Sequence, residues 1–196
     1  MTKRRVLCWL IFLVPTALGA REPTPLGQVA IEFFGVAKAI LSSGAGLIDQ
    51  LATTQAKSVV SDIYTQATDL VNAKMNLRKH IEDGSAHDVG GLLFGQVHSL
   101  GYTITRFGAE IDKVSGLHSG PLRNATHNLT MDKGTELKEV NQALYRGDKK
   151  AALESLDAAI DKTKKIMKAA VCLKGTLERK KAACDAETLE PILDSK

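Results

Sequence analysis

Apolar residues recur at steps of three and four along most of the chain, and the period-two alternation of a half-buried strand is missing. From Leu26, the positions Val29, Phe33, Ala37 and Ile40 share a helical face, and Ile48 and Leu51 continue the pattern after an interruption at residues 42–46, Ser-Ser-Gly-Ala-Gly. Two glycines within three residues there predict a turn or hinge. A second periodic stretch, with Val60, Ile63, Ala67, Leu70 and Leu77 on one face, runs to about Ile81, and Gly84 is placed to cap its end. The clearest pattern is Leu93, Val97, Leu100, Ile104, Phe107, Ile111 and Val114, a heptad seam for shallow packing against another helix. Gly101 and Gly108 leave one flank of that seam without side chains, so a neighbouring backbone can come close.

The stretch from Gly116 to Thr130 reads as a surface connection. A helix starting at Gly134 or Thr135 then carries Leu137, Val140 and Leu144, and Gly147-Asp148 turns the chain. From Lys149 to about Cys172 an apolar stripe of Leu153, Leu156, Ile160, Met167 and Val171 lies opposite lysines. Glycine suits the end of one helix and aspartate the start of the next, so this is a helix hairpin. The turn with the following Lys150-Ala151-Ala152-Leu153-Glu154 resembles half a tetratricopeptide repeat, but no second copy recurs at a fixed period. The elements together predict an all-α fold, an elongated antiparallel helical bundle of about five or six helices, in one domain over residues 21–196.

Residues 1–20 have a different character. A basic start at Lys3, Arg4 and Arg5, an uncharged run from Val6 to Val14, and small residues at Ala17 and Gly19 are the three parts of a secretory signal peptide. The apolar run is shorter than the roughly 20 residues of a spanning helix, and Pro15 follows it. No later apolar stretch reads as a span and no hydrophobic tail closes the chain, so stable membrane insertion is not expected. The expected product is secreted and extracellular.

Loss of the leader changes the charge balance. The full chain has 26 basic and 22 acidic residues, and three of the basic ones lie in the leader, so the mature protein is close to neutral. Nothing in that balance calls for a nucleic-acid partner. Lys162, Lys164, Lys165 and Lys168, with Arg179, Lys180 and Lys181, are locally basic, but interleaved acids and missing aromatics describe a solvated helix face.

Several residues are candidates for chemistry or modification. Asn124-Ala125-Thr126 and Asn128-Leu129-Thr130 are acceptor sequences for N-glycosylation. Cys172 and Cys184 are the two cysteines left after the leader, and a secreted protein with two thiols pairs them. In an unbroken helix twelve residues would separate their Cα atoms by about 18 Å, whereas a disulfide needs them within about 7 Å. Either the helix ends near Gly175 and the chain loops back, or the two cysteines do not bond each other; the first is the expectation. Arg146-Gly147-Asp148 is the tripeptide that integrins read on extracellular ligands, and it doubles as the cap between two helices. His80, Glu82, Asp83, His87 and Asp88 gather at a helix end without any established metal spacing, so no metal and no cofactor is expected. Residues 33–48 carry Lys38 as their single charge, and Phe33, Phe34, Ile40, Leu41, Leu47 and Ile48 beside a glycine hinge are the candidate contacts for an apolar guest.

No nucleophile elbow, phosphate-binding loop or dinucleotide fingerprint occurs in the chain, and an enzyme is not expected. The leading expectation is a secreted glycoprotein with a non-enzymatic binding role, carrying an apolar small molecule or lipid between its helices. In layout it resembles the exchangeable lipid-carrying helical bundles of animal body fluids. The alternative is an extracellular protein-interaction factor that binds a protein partner or receptor through its helical surface, with Arg146, Gly147 and Asp148 as one contact.

Overall fold

The computed structural model describes residues 24–114, 116–131, 135–178 and Cys184; the leader predicted for residues 1–20 lies outside them. Seven helices and no strand are found among the described residues. They are α1 (Pro25–Ser42), α2 (Ala45–Ala52), α3 (Ala56–Asp83), α4 (Gly91–Ile111), α5 (Gly120–Met131), α6 (Thr135–Tyr145) and α7 (Lys149–Leu177). The all-helical expectation holds, with more and shorter pieces than five or six.

Local chemistry sets most of the breaks. Thr24 opens α1: its hydroxyl accepts the Gly27 N–H at 3.3 Å, and Pro25 takes the first helical position, where its missing donor costs nothing. The predicted interruption after Ser42 is present. Ile48 and Leu51 lie on a short helix of their own, which ends where Thr53 and Thr54 turn their hydroxyls onto the carbonyls of Gln50 and Leu51, both at 2.7 Å. Thr54 then accepts from Ala56 N, and Glu110 at the far end of α4 accepts from Gln55 N at 3.2 Å, so a distant carboxylate helps start α3. Gly84 ends α3 in the left-handed conformation, φ +79°.

Side-chain pairs give the relative directions. Between α3 and α7, Arg78 meets Asp157 (2.8 Å), Lys74 meets Ala159 and Thr163, and Lys174 lies over the Tyr64 ring. Rising numbers on one helix meet falling numbers on the other, so the two longest helices are antiparallel. The same holds for α3 and α4 (Gln55 with Glu110, Gln66 with Thr103) and for α4 and α5 (Thr105 with Thr126, Asp112 with Ser119). α7 packs against α1, α3 and α6, and α5 lies between α1 and α4.

One apolar core runs from Leu26 to Leu177. The heptad seam of α4 is buried along its whole length, and Phe107 meets Phe33 of α1 edge to face at 5.7 Å between ring centroids. In α7 the buried face differs from the predicted stripe. Leu156 and Ile160 are buried, but Leu153 and Met167 are half-buried and Val171 is 44% exposed. Ala152, Ala159, Ala169 and Ala170 are buried instead. A helix enclosed by three others needs a wide face, and alanine lets their backbones approach.

Candidate functional site

Three regions hold the candidate residues. The first is the α1–α2 elbow. α1 is long and apolar enough to cross a membrane by length and composition, with a mean hydropathy of 1.2, which exceeds the expectation that nothing beyond the leader reaches spanning size. In the folded protein it is a core helix: Phe33, Phe34 and Ile40 are buried, with Leu26, Val29 and Ala37. Leu41, Leu47 and Ile48 are half-buried and pack on the edge of that core, and of α2 only Leu51 is fully buried. Gly44 and Gly46 stand in open space at the bend. The six residues thus range from buried positions on α1 to half-buried ones at the α1–α2 bend.

The second region is α5, where sequence reasoning expected a loop. Leu122, Ala125, Thr126 and Leu129 face inward at helical spacing. Ser119 anchors its start, with its N–H and hydroxyl both donating to Asp112, at 3.0 and 2.8 Å. Burial raises the Asp112 pKa, but hydrogen bonds from Ser119 and the Arg123 guanidinium outweigh it and hold the carboxyl below its ordinary value. Gly101 and Gly108 do make room for α5, but for its side chains and not, as expected, for its backbone: a methyl group on Gly108 would lie 3.1 Å from Ser119 Oγ, and one on Gly101 would lie 3.2 Å from the Leu129 side chain. Asn124 and Asn128 are exposed one helical turn apart. Two open grooves flank the helix. One of about 500 Å³ is lined by Tyr102, Thr105, Arg123, Asn124 and His127; the other, of about 520 Å³, by Gln28, Glu32, Pro121, Asn124 and Asn128.

The third region is the α6–α7 turn. Arg146, Gly147 and Asp148 are all exposed, next to Tyr145 at 73% exposure. Gly147 has φ +70°, and the Asp148 carboxylate accepts the Ala151 N–H at 3.0 Å, the hairpin geometry expected from sequence.

The remaining candidates have structural surroundings. Cys172 and Cys184 are disulfide-bonded with Cα atoms 5.5 Å apart. The helix runs through Gly175 to Leu177 before the chain returns, so the break lies slightly later than predicted. At the end of α3, His80 and Asp83 both bind Ser85 (2.9 and 2.5 Å), and no three metal-ligating side chains converge among the described residues. Lys162 reaches Thr24 at 2.7 Å, while Arg179, Lys180 and Lys181 lie outside the described residues. Sequence reasoning missed Lys74, which is fully buried and donates to Ala159 O (3.0 Å) and Thr163 Oγ1 (2.8 Å). The signal was available: Lys74 lies four residues after Leu70 and three before Leu77, on the inner face.

Compared with known proteins, the chain matches no family model, no curated protein and no solved structure.

Proposed function

We propose that this is a secreted, N-glycosylated protein with a non-enzymatic binding role, which carries an apolar small molecule or lipid between the helices of an elongated antiparallel bundle. The observation that carries the reading is the α1–α2 elbow. Phe33, Phe34 and Ile40 lie inside, Leu41, Leu47 and Ile48 pack half-buried at the edge of the core, and Gly44 and Gly46 have open space where a side chain would stand. Swinging α2 away uncovers apolar surface while leaving the contacts between α3 and α7 intact, which is the arrangement a guest between helices needs. The Cys172–Cys184 bond is compatible with an oxidising compartment.

Native mass spectrometry of protein secreted from lipid-replete cells tests the reading. A co-purified lipid is expected on the wild type, together with its loss in Leu47→Asp. A bare protein mass that stays bare after incubation with phosphatidylcholine vesicles sinks it.

The exposed α6–α7 turn favours a second reading, a protein partner such as an integrin engaging Arg146 and Asp148 beside Tyr145. Asp148→Asn separates its two roles, since asparagine still caps a helix but lacks the carboxylate. Cell adhesion that survives this change ends the integrin version.

A further inference from the structure

We infer that Asn124 and Asn128 accept their glycans only before α5 docks against α4, so that the speed of docking sets how much of the secreted protein is glycosylated. The inference rests on the secreted-glycoprotein reading and concerns when that modification is possible.

An acceptor sequence is read through two groups together, the asparagine amide and the hydroxyl two residues on. In an α-helix those side chains project about 200° apart, so they cannot face one enzyme site. The folded chain shows this separation. Asn124 is exposed, but Thr126 is 0% exposed, with its hydroxyl 2.9 Å from that of Thr105 and donating to Arg123 O at 2.9 Å. Asn128 is exposed too, while the Thr130 hydroxyl donates to His127 O at 2.9 Å and its methyl group packs beside Gly101. Both hydroxyls donate to α5 carbonyls; that of Thr126 is sealed beneath the helix and that of Thr130 is half-exposed.

The transfer itself needs the undocked chain. The Asn124 Nδ2 attacks the anomeric carbon of an oligosaccharide carried on a lipid diphosphate. The new C–N bond forms as the C–O bond to the diphosphate breaks, the lipid diphosphate leaves, and the amide nitrogen gives one proton to a base on the transferase. For this to occur, residues 124–126 must leave the helical conformation, and Thr126 must come out from under Thr105. A helix of 12 residues is marginal alone. The segment is therefore pliable until α1 and α4 hold it, and closed to the transferase afterwards.

The test uses the full chain made without sugar and refolded. It is offered to a purified oligosaccharyltransferase with a lipid-diphosphate oligosaccharide, beside a Leu122→Asp variant whose α5 cannot dock. At least tenfold more transfer to the variant is expected, with Asn124→Gln and Asn128→Gln assigning the sites by intact mass. In secreting cells, Gly108→Ala should raise occupancy above wild type, because its methyl group opposes docking while the rest of the fold remains. Equal transfer to the folded wild type and to Leu122→Asp would overturn the inference while leaving the glycoprotein reading standing. No transfer to either chain overturns the glycoprotein reading as well.

Discussion

The α3–α7 pair and the α4–α5 pair are both antiparallel, and they differ in what fills the seam. The first joins helices of 28 and 29 residues, with the buried Lys74 Nζ in the seam reaching across to a carbonyl and a hydroxyl. The second joins α4 to a helix of 12 residues through the Thr105–Thr126 and Asp112–Ser119 hydrogen bonds and by leaving side chains out at Gly101 and Gly108, so that Ser119 and Leu129 can approach. A long pair buries enough surface to take a whole lysine side chain inside. A short pair depends on its partner's side chains filling the space that the two glycines leave. Each device should fail in its own way.

The largest effect is expected at Lys74. Lys74→Ala removes a long buried side chain and leaves Ala159 O and Thr163 Oγ1 without its hydrogen bonds, which should cost about 3 kcal/mol or more in urea unfolding. Next comes the staple on α7: replacing Cys172 and Cys184 with alanine should cost about 2–3 kcal/mol for a loop of this size. Its effect should vanish when both proteins are compared under reducing conditions.

On the other side of the comparison, Gly108→Ala should destabilise by about 1 kcal/mol, because crowding against the anchored Ser119 exceeds the helix-propensity gain. Gly35→Ala is the control. Gly35 has nothing within 4 Å, so alanine there should stabilise by about 1 kcal/mol. If both glycines respond alike, close approach is not what holds α5.

The smallest effect concerns pH. The folded Asp112 carboxyl titrates below its ordinary value, so its contribution is fully present above that ordinary value and is lost as pH falls through the folded one. Wild type and Asp112→Asn should therefore differ in stability near neutrality and converge in acid. A difference that stays constant as the pH is lowered through the acid range would assign the Ser119 anchor to shape and not to charge.

The same contrast explains what could be read from the amino-acid order. Long helices announce themselves: the α4 seam, the Gly84 cap and the Gly147-Asp148 hairpin are all where periodicity and capping chemistry put them. α5 was not legible because Leu122 and Leu129 are its only large inward residues, and Gly116, Gly120, Pro121 and the two sequons imitate a loop. The better reading takes Ser119-Gly120-Pro121 as a helix start and Leu122, Ala125, Thr126 and Leu129 as a buried stripe. In α7, apolar side chains were sought and alanine was passed over, although a helix enclosed on three sides buries its smallest residues. Of the candidate site, the apolar stretch was visible as a composition, but its division into buried and half-buried members depends on how α2 folds back.

The bond from Cys172 to Cys184 has a mechanical consequence. Tension applied at the tail enters α7 at Cys172, upstream of its final turns, so those turns are shielded from being peeled off residue by residue. The load passes to α7 as a body lying lengthwise along α3, a shearing geometry in which many contacts must yield together. Optical-tweezer traces should show one abrupt rupture with the bond intact, and an earlier, gradual lengthening once it is cut.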